Sequence, residues 1–431
     1  MKRIYSKELT KYYDKKIKIA GYLFQRRFLG GVVFIILRDK DGIIQIVVKD
    51  KNELSKLEGI ADESILEIEG DCIKDERAPG KAEIHNPKIK ILQAVKEEYR
   101  VPIEINKPQI HAHIDTLLDH RPIVLRNPLE RAIFRIQSTM AQSFREYCID
   151  NGFTEIFTPT IVETATEGGS ELFEIKYYDR TAYLAQSAQL YKQIMVGVFE
   201  KVFATAHSYR AEKFGTSRHL TEFIQYEFEM GFIESYKDIY NSGIEIIKYI
   251  KDKIEKVNLS ELEILQKKLP VLPKDIPIIK FSEAKKITQE ESNDEFDLSP
   301  KEEKLLSKKI FDEYKSDLMV VTHYPTKKRP FYTMVDKDNP KETLSFDFIL
   351  RGEEILTGGE RITDYDELQK AIEKKGMNPK NLQDYLEIFK YGIPKEGGFG
   401  MGLERLTQQF LGFTNIRETT LFPRDVKRLA P

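Results

Sequence analysis

Residues 207–230 read HSYRAEKFGTSRHLTEFIQYEFEM. Both ends alternate in the manner of β-strands, and the segment between them carries Arg210, Lys213, Arg218 and His219. As a strand, residues 223–230 divide their side chains cleanly. Ile224, Tyr226, Phe228 and Met230 point one way, and Phe223, Gln225, Glu227 and Glu229 the other. A strand with one apolar face ordinarily turns its second face to water. The preceding strand argues otherwise, because Val202, Ala204, Ala206 and Ser208 share a face with Arg210 and Glu212 and leave a trough beside ion-forming groups. A trough of that kind suits a flat ligand better than bulk solvent.

The C-terminal third supplies matching parts. In SFDFILRGEEILTGGERI, residues 345–362, a reversal near Leu350 to Gly352 makes a hairpin that sets Asp347 and Glu354 on one face. Two carboxylates so placed repel unless a cation lies between them, and magnesium on a phosphate is the economical expectation. In GGFGMGLERL, residues 397–406, a glycine-rich strand runs into a helix bearing Arg405, and its glycines let the backbone approach a ligand closely. No Walker-type GxxxxGK occurs. Together Arg210, Arg218, Arg405, Asp347 and Glu354 are what phosphoryl or nucleotidyl transfer requires: cations and a metal around a polyphosphate, with little need of a general base.

The rest of the chain frames this site. Its 431 residues suffice for two domains, and 41% hydrophobic content with 25 Phe and 21 Tyr supports packed cores. A net charge of −2 excludes a global polycation, so any nucleic-acid contact must come from local patches. Cys72 and Cys148 lie far apart without a CxxC, which argues against a disulfide scaffold and structural zinc. No apolar leader and no run of 18 apolar residues is present, so the expectation is a cytoplasmic protein without a membrane partner.

Residues 1–100 contain five short β-segments, including a hairpin at Asp41-Gly42, and predict a small barrel of the OB type. Residues 101–125 lose periodicity and gather Pro and His, which reads as a hinge. A helix follows from about Leu129 to Asn151, stopped by Gly152, and residues 126–431 lack a βαβ rhythm. The expected class is therefore α+β, an OB barrel followed by a domain with a central antiparallel sheet flanked by helices. A helix-rich insertion at about 235–315 contains TQEESNDEFDLSPKEEKLLSKK, read as a solvated segment with no chemistry.

These segments resemble the three signature motifs of the class II aminoacyl-tRNA synthetases, and nearly the whole chain is similar to the short, archaeal-type aspartyl enzymes. GFTEIFTPTI with its preceding helix is similar to the dimer-forming motif 1, YRAE with TSRHLTEF to motif 2, and GFGMGLERL to motif 3. The resemblance implies a homodimeric ligase that activates L-aspartate with ATP and magnesium and transfers it to tRNA-Asp, with tRNA-Asn left open as a second acceptor. It places Arg210 and Arg405 in catalysis. ATP would meet these two with Glu212, Arg218, His219, Phe223 and Glu354, Phe223 stacking on adenine with Arg405 on its other side. Asp347 and Glu354 would hold the metal. Aspartate would meet Glu167, Ser187, Gln189, Lys192, Glu227 and Arg361, and the anticodon would meet Arg27, Phe34 and Gln45. Lys192 and Arg361 favour a carboxylate, whereas Glu227 and Ala188 depart from the aspartyl pattern towards asparaginyl relatives. The rival readings are an asparaginyl-tRNA synthetase, a tRNA-independent asparagine synthetase and a non-catalytic RNA-binding paralogue.

Overall fold

The computed structural model describes residues 1–29, 32–99, 103–107, 110–164, 172–213, 215–288 and 295–431. They divide into two compact units, Met1–Arg131 and Ala132–Pro431.

In the first unit, β1 (Lys15–Leu29), β2 (Val32–Arg38), β3 (Ile43–Val48), β4 (Ile65–Lys74) and β5 (Ala82–Gln93) close a barrel in the order β1-β2-β3-β5-β4. Alternation of apolar residues along much of each strand drives this. Ile17, Ile19, Leu23, Ile35, Leu37, Ile44, Ile46, Leu66 and Ile68 fill the interior, and closure leaves no long edge unpaired. The turn between β2 and β3 is pinned by Asp39, whose side chain accepts from the backbone N–H groups of Asp41 and Gly42. Residues 101–125, read as a hinge, hold two short helices, Ile114–Asp119 and Arg121–Val124, within this first unit.

The second unit is built on an eight-stranded sheet. Its strands are β6 (Thr154–Glu155), β10 (Lys201–Tyr209), β11 (Glu222–Gly231), β12 (Ile278–Lys280), β13 (Leu318–Thr322), β14 (Ser345–Leu350), β15 (Glu353–Glu360) and β16 (Glu396–Gly402). Between β6 and β10, β7 (Ile161–Val162), β8 (Glu174–Tyr177) and β9 (Arg180–Leu184) form a separate three-stranded sheet. The large sheet runs β12-β13-β14-β15-β16-β11-β10-β6. It is antiparallel from β13 to β10, and the two edge pairings, β12 with β13 and β6 with β10, are parallel. Of the motif 1-like stretch after the helix, only Thr154–Glu155 joins the large sheet. The helix Pro128–Asp150 matches its expected span, and Gly152 beyond it takes the left-handed conformation (φ 80°) that a helix stop favours.

The insertion is helical as expected, with Tyr236–Val257, Leu259–Leu265, Phe281–Thr288 and Pro300–Tyr314, but the reading of its charged run as merely solvated is overturned. Glu302, Glu303, Leu306 and Ile310 are buried on one face of the helix Pro300–Tyr314, because the 3- and 4-residue spacing of Glu303, Leu306 and Ile310 puts them in one stripe against the sheet. Among the described residues no helix is long and apolar enough to cross a membrane.

Candidate active site

β10 and β11 pair antiparallel with Ser208 opposite Phe223, Ala206 opposite Gln225 and Ala204 opposite Glu227, so the trough and the acidic row share one face. Ser208 Oγ donates to Gln225 Oε1 at 3.0 Å across that face. The neighbouring glycine-rich β16 is needed for these side chains to lie flat. A Cβ on Gly400 would stand 2.0 Å from Gln225 Nε2, and one on Gly398 would stand 2.1 Å from Glu229 Oε2. The glycines expected to admit a ligand thus first admit the β11 side chains, and the ligand face is built on top of them.

At one end of the trough lies an open pocket with a cavity volume of about 110 Å³. Arg210, Glu212, Arg218, His219, Phe223, Glu354 and Arg405 all line it, so every expected ATP residue converges there. Arg210 lies with its guanidinium carbon 5.4 Å from the Phe223 ring centre. Its Nε is buried with no hydrogen-bond partner among the described residues, a donor left for a ligand. Arg405 donates to the carbonyls of Glu354 (2.8 Å) and Arg218 (3.3 Å), tying β15 to the motif 2 loop. Burial and the nearby Arg405 hold the His219 imidazole below its ordinary pKa, so it is neutral at pH 7, with Nδ1 2.5 Å from Thr216 Oγ1. Arg218 does not project freely: its Nε donates to Glu353 (3.1 Å) and its terminal nitrogen to Glu303.

Glu404, next to Arg405, accepts the backbone N–H of Ile224 on both carboxylate oxygens at 3.1 Å. Burial pushes its pKa from 4.5 up to about 7. The folded state therefore binds a proton more readily than the unfolded chain, and stability falls as pH rises from about 4.5 to 7, by up to about 3 kcal/mol from this group alone. Chemical denaturation of Glu404→Gln across that window should show a shallower loss than wild type.

Asp347 and Glu354 do share a face, as expected from the hairpin: Asp347 stands opposite Thr357, and Thr357 Oγ1 donates to Glu354 Oε1 at 2.8 Å. The turn residues Arg351 and Gly352 both have positive φ (50° and 85°), the geometry of a tight two-residue hairpin. A cation already attends the pair. Arg329, which sequence reasoning did not single out, meets Asp347 Oδ2 at 2.7 Å. Burial raises the Asp347 pKa to about 6 against the pull of Arg329, with Glu354 adding to the rise. Glu354 goes the other way, because Arg405 and the Thr357 hydroxyl outweigh its burial. Asp347 Oδ1 is buried and accepts no hydrogen bond among the described residues, the mark of an oxygen that fits a hard cation. No group of three His, Cys, Asp or Glu side chains among the described residues could hold a metal ion.

The other end of the trough is a buried ionic cluster. Lys192, from the helix Gln189–Phe199, meets Glu227 at 2.7 Å and Glu229 at 3.1 Å. Arg361 grips Glu229 with two bonds, 2.6 Å from Nε and 3.1 Å from the terminal nitrogen. All four side chains are at most 4% exposed. Ser187 Oγ and the Ala188 N–H donate to the free side of Glu227 at 2.8 and 3.1 Å. Gln189 donates to Gln193, which in turn donates to Glu396, a carboxyl raised well above its usual range by burial and by Glu229 beside it. Five of the six expected amino-acid residues thus come together, and Glu167 lies outside the described residues. Glu229 lay on the expected face but was not assigned a role, although it is what fixes Arg361.

In the barrel, Arg27 is the cross-strand partner of Phe34, and Gln45 is the partner of Ile36 two residues on, so the three expected anticodon residues lie on one face. Phe34 is half-buried and Arg27 exposed, held by Gln25 at 3.0 Å. Gln45 is occupied, donating to Glu83 at 2.5 Å.

Residues 113–426 match the family model for tRNA synthetases class II (D, K and N), and residues 17–92 match that for the OB-fold nucleic acid binding domain. The chain is 40% identical over all 431 residues to the aspartate–tRNA(Asp/Asn) ligase of Thermus thermophilus, covering 100% of each. It is 38% identical to the aspartate–tRNA(Asp) ligase of Pyrococcus abyssi, covering 99% of each. Among solved structures, the asparaginyl-tRNA synthetase of Pyrococcus horikoshii complexed with asparaginyl-adenylate superposes with a TM-score of 0.91 at 34% identity, over 100% of both chains.

Proposed function

The chain belongs to the class II tRNA synthetases of the D, K and N group, and from that premise we propose that it activates L-aspartate with ATP and esterifies tRNA-Asp with the product. The observation that carries the choice of amino acid is the convergence of two buried cations. Lys192 and Arg361, from different elements, both lie 3.1 Å from the same oxygen, Glu229 Oε2, so two buried cations converge on one corner, each already paired with a protein carboxylate that a substrate carboxylate would join. An aspartate carboxylate joining that corner accepts from both cations with an ionised group, whereas the oxygen of an asparagine amide is uncharged and accepts more weakly, a difference on the order of 1 kcal/mol.

The aspartate α-carboxylate attacks the α-phosphorus of ATP in line, one new P–O bond forms, and the bond to pyrophosphate breaks. Arg210, at the mouth of the trough with an unused donor, stabilises the charge that develops on the α-phosphate. Phe223 supplies the flat face for adenine, and Arg405 anchors the loop that closes on it. Asp347 and Glu354 would hold magnesium, which when bound neutralises phosphate charge. Neutral His219 donates to the outer phosphates without adding charge of its own. In the second half-reaction a terminal ribose hydroxyl of the tRNA takes the aspartyl group and AMP leaves. Positioning and charge carry both steps, so no nucleophilic triad is required.

Arg27 and Phe34 read the anticodon by hydrogen bonding and stacking. Exposed Ile149, Phe157 and Ile161, the second of them 88% accessible, support a homodimer through motif 1.

One observation favours asparagine. Glu227 already neutralises Lys192, so an aspartate side chain brings surplus negative charge where an amide does not. The test is charging of purified tRNA-Asp and tRNA-Asn with labelled aspartate. The reading requires product on tRNA-Asp, and product on tRNA-Asn as well would make the enzyme relaxed in its choice of acceptor.

A further inference from the structure

The helix Pro300–Tyr314 brings an acid into the nucleotide pocket that nothing in the class II reaction calls for. Glu303, in its first turn, is buried and bonds the terminal nitrogen of Arg218. Glu353 holds the other side of the same guanidinium at 3.1 Å. Three carboxylates, Glu303, Glu353 and Glu354, therefore crowd two cations, Arg218 and Arg405, where a polyanionic triphosphate has to arrive. The two partners of Arg218 are not equivalent. Glu353 is anchored from three sides, by Arg218, by Gln409 Nε2 at 2.6 Å and by Arg405 Nε at 3.5 Å. The Glu303 carboxylate has Arg218 as its one hydrogen-bond partner among the described residues. If one of them gives way, it is Glu303, because its release breaks a single pairing and leaves the rest of the network standing.

Resting on the reading of Arg218 as a ligand of the outer phosphates, we propose that Glu303 is a positioning residue that holds Arg218 before ATP binds and surrenders it to those phosphates. Glu303 thus competes with the nucleotide for one guanidinium. It keeps Arg218 ordered and countercharged when the site is empty, and it weakens binding of anything that reaches beyond the α-phosphate. The class of ligand affected is a nucleoside triphosphate, and a nucleoside monophosphate is not.

The experiment is calorimetric titration of the full chain with ATP and, separately, AMP, in wild type, Glu303→Gln, Arg218→Ala and the double variant. Glu303→Gln should bind ATP about fivefold more tightly, the size of a partly buried ion pair, with AMP unchanged, and the gain should vanish when Arg218 is also alanine. Equal or weaker ATP binding by Glu303→Gln overturns the proposal, as does an equal shift for ATP and AMP, which a structural role alone would give. Arg218→Ala separates the two levels. If it binds ATP like wild type, the phosphate reading of Arg218 falls and this inference with it; if it binds ATP weakly while Glu303→Gln gains nothing, only Glu303 was misread. Should the glutamine variant fail to fold, Glu303→Asp, with its charge withdrawn by one methylene, must show the same ATP-specific tightening.

Discussion

Arg405→Ala lowers the rate of aspartate-dependent ATP–pyrophosphate exchange by about 10²–10³-fold, the effect of removing a positioned donor from a charge-developing site. Two losses combine in it. One is a cation in the proposed nucleotide pocket, and the other is the pair of bonds from its guanidinium to the carbonyls of Glu354 and Arg218, which hold β15 and the motif 2 loop at their separation. The fold should survive, because Glu353 retains Arg218 and Gln409 as partners. Binding of tRNA through the barrel should stay near wild type. Exchange at the wild-type rate in this variant would mean that the nucleotide lies elsewhere.

Lys192→Met acts on stability as well as activity. It leaves Glu227 and Glu229, both essentially inaccessible, with Arg361 as their remaining cation. Removing one partner from such a buried cluster costs about 3–5 kcal/mol, most of it the penalty of the stranded charge. The denaturation midpoint should fall with an unchanged m-value. Adding Glu227→Gln should restore a large part, since the amide still accepts from Ser187 and Ala188 and no longer carries the unpaired charge. A single variant as stable as wild type would show that the cluster is not ionic as described. Neither variant should bind aspartate well, because the corner has lost one of its two cations.

Alternation on β11 was enough to place Gln225, Glu227 and Glu229 on one face with the small residues of β10, because a two-residue period admits only one assignment once the other face is apolar. The barrel was legible for the same reason. Glu303 was not, since an acid inside a run of charges has no local mark of burial, although its spacing from Leu306 and Ile310 was a signal available in retrospect. Arg329 lies in a loop between β13 and β14, where no periodicity applies, and only the fold brings it to Asp347. The cations meant for substrates also turned out to be engaged. Lys192, Arg361 and Arg218 each hold protein carboxylates, because a buried guanidinium or ammonium left without a counter-ion is too costly to keep. Site residues read from sequence therefore converge in the fold, but that reading omits the internal partners that a ligand must displace or join.

Those internal partners make the choice of amino acid the claim most worth testing. The most direct measurement is charging of tRNA-Asp by the purified chain with labelled aspartate and labelled asparagine supplied side by side. Ester-linked aspartate, with asparagine at background, is what the converging Lys192 and Arg361 require. Asparagine esterified in preference to aspartate would contradict the account and show that Glu227, already paired with Lys192, sets the pocket for an amide.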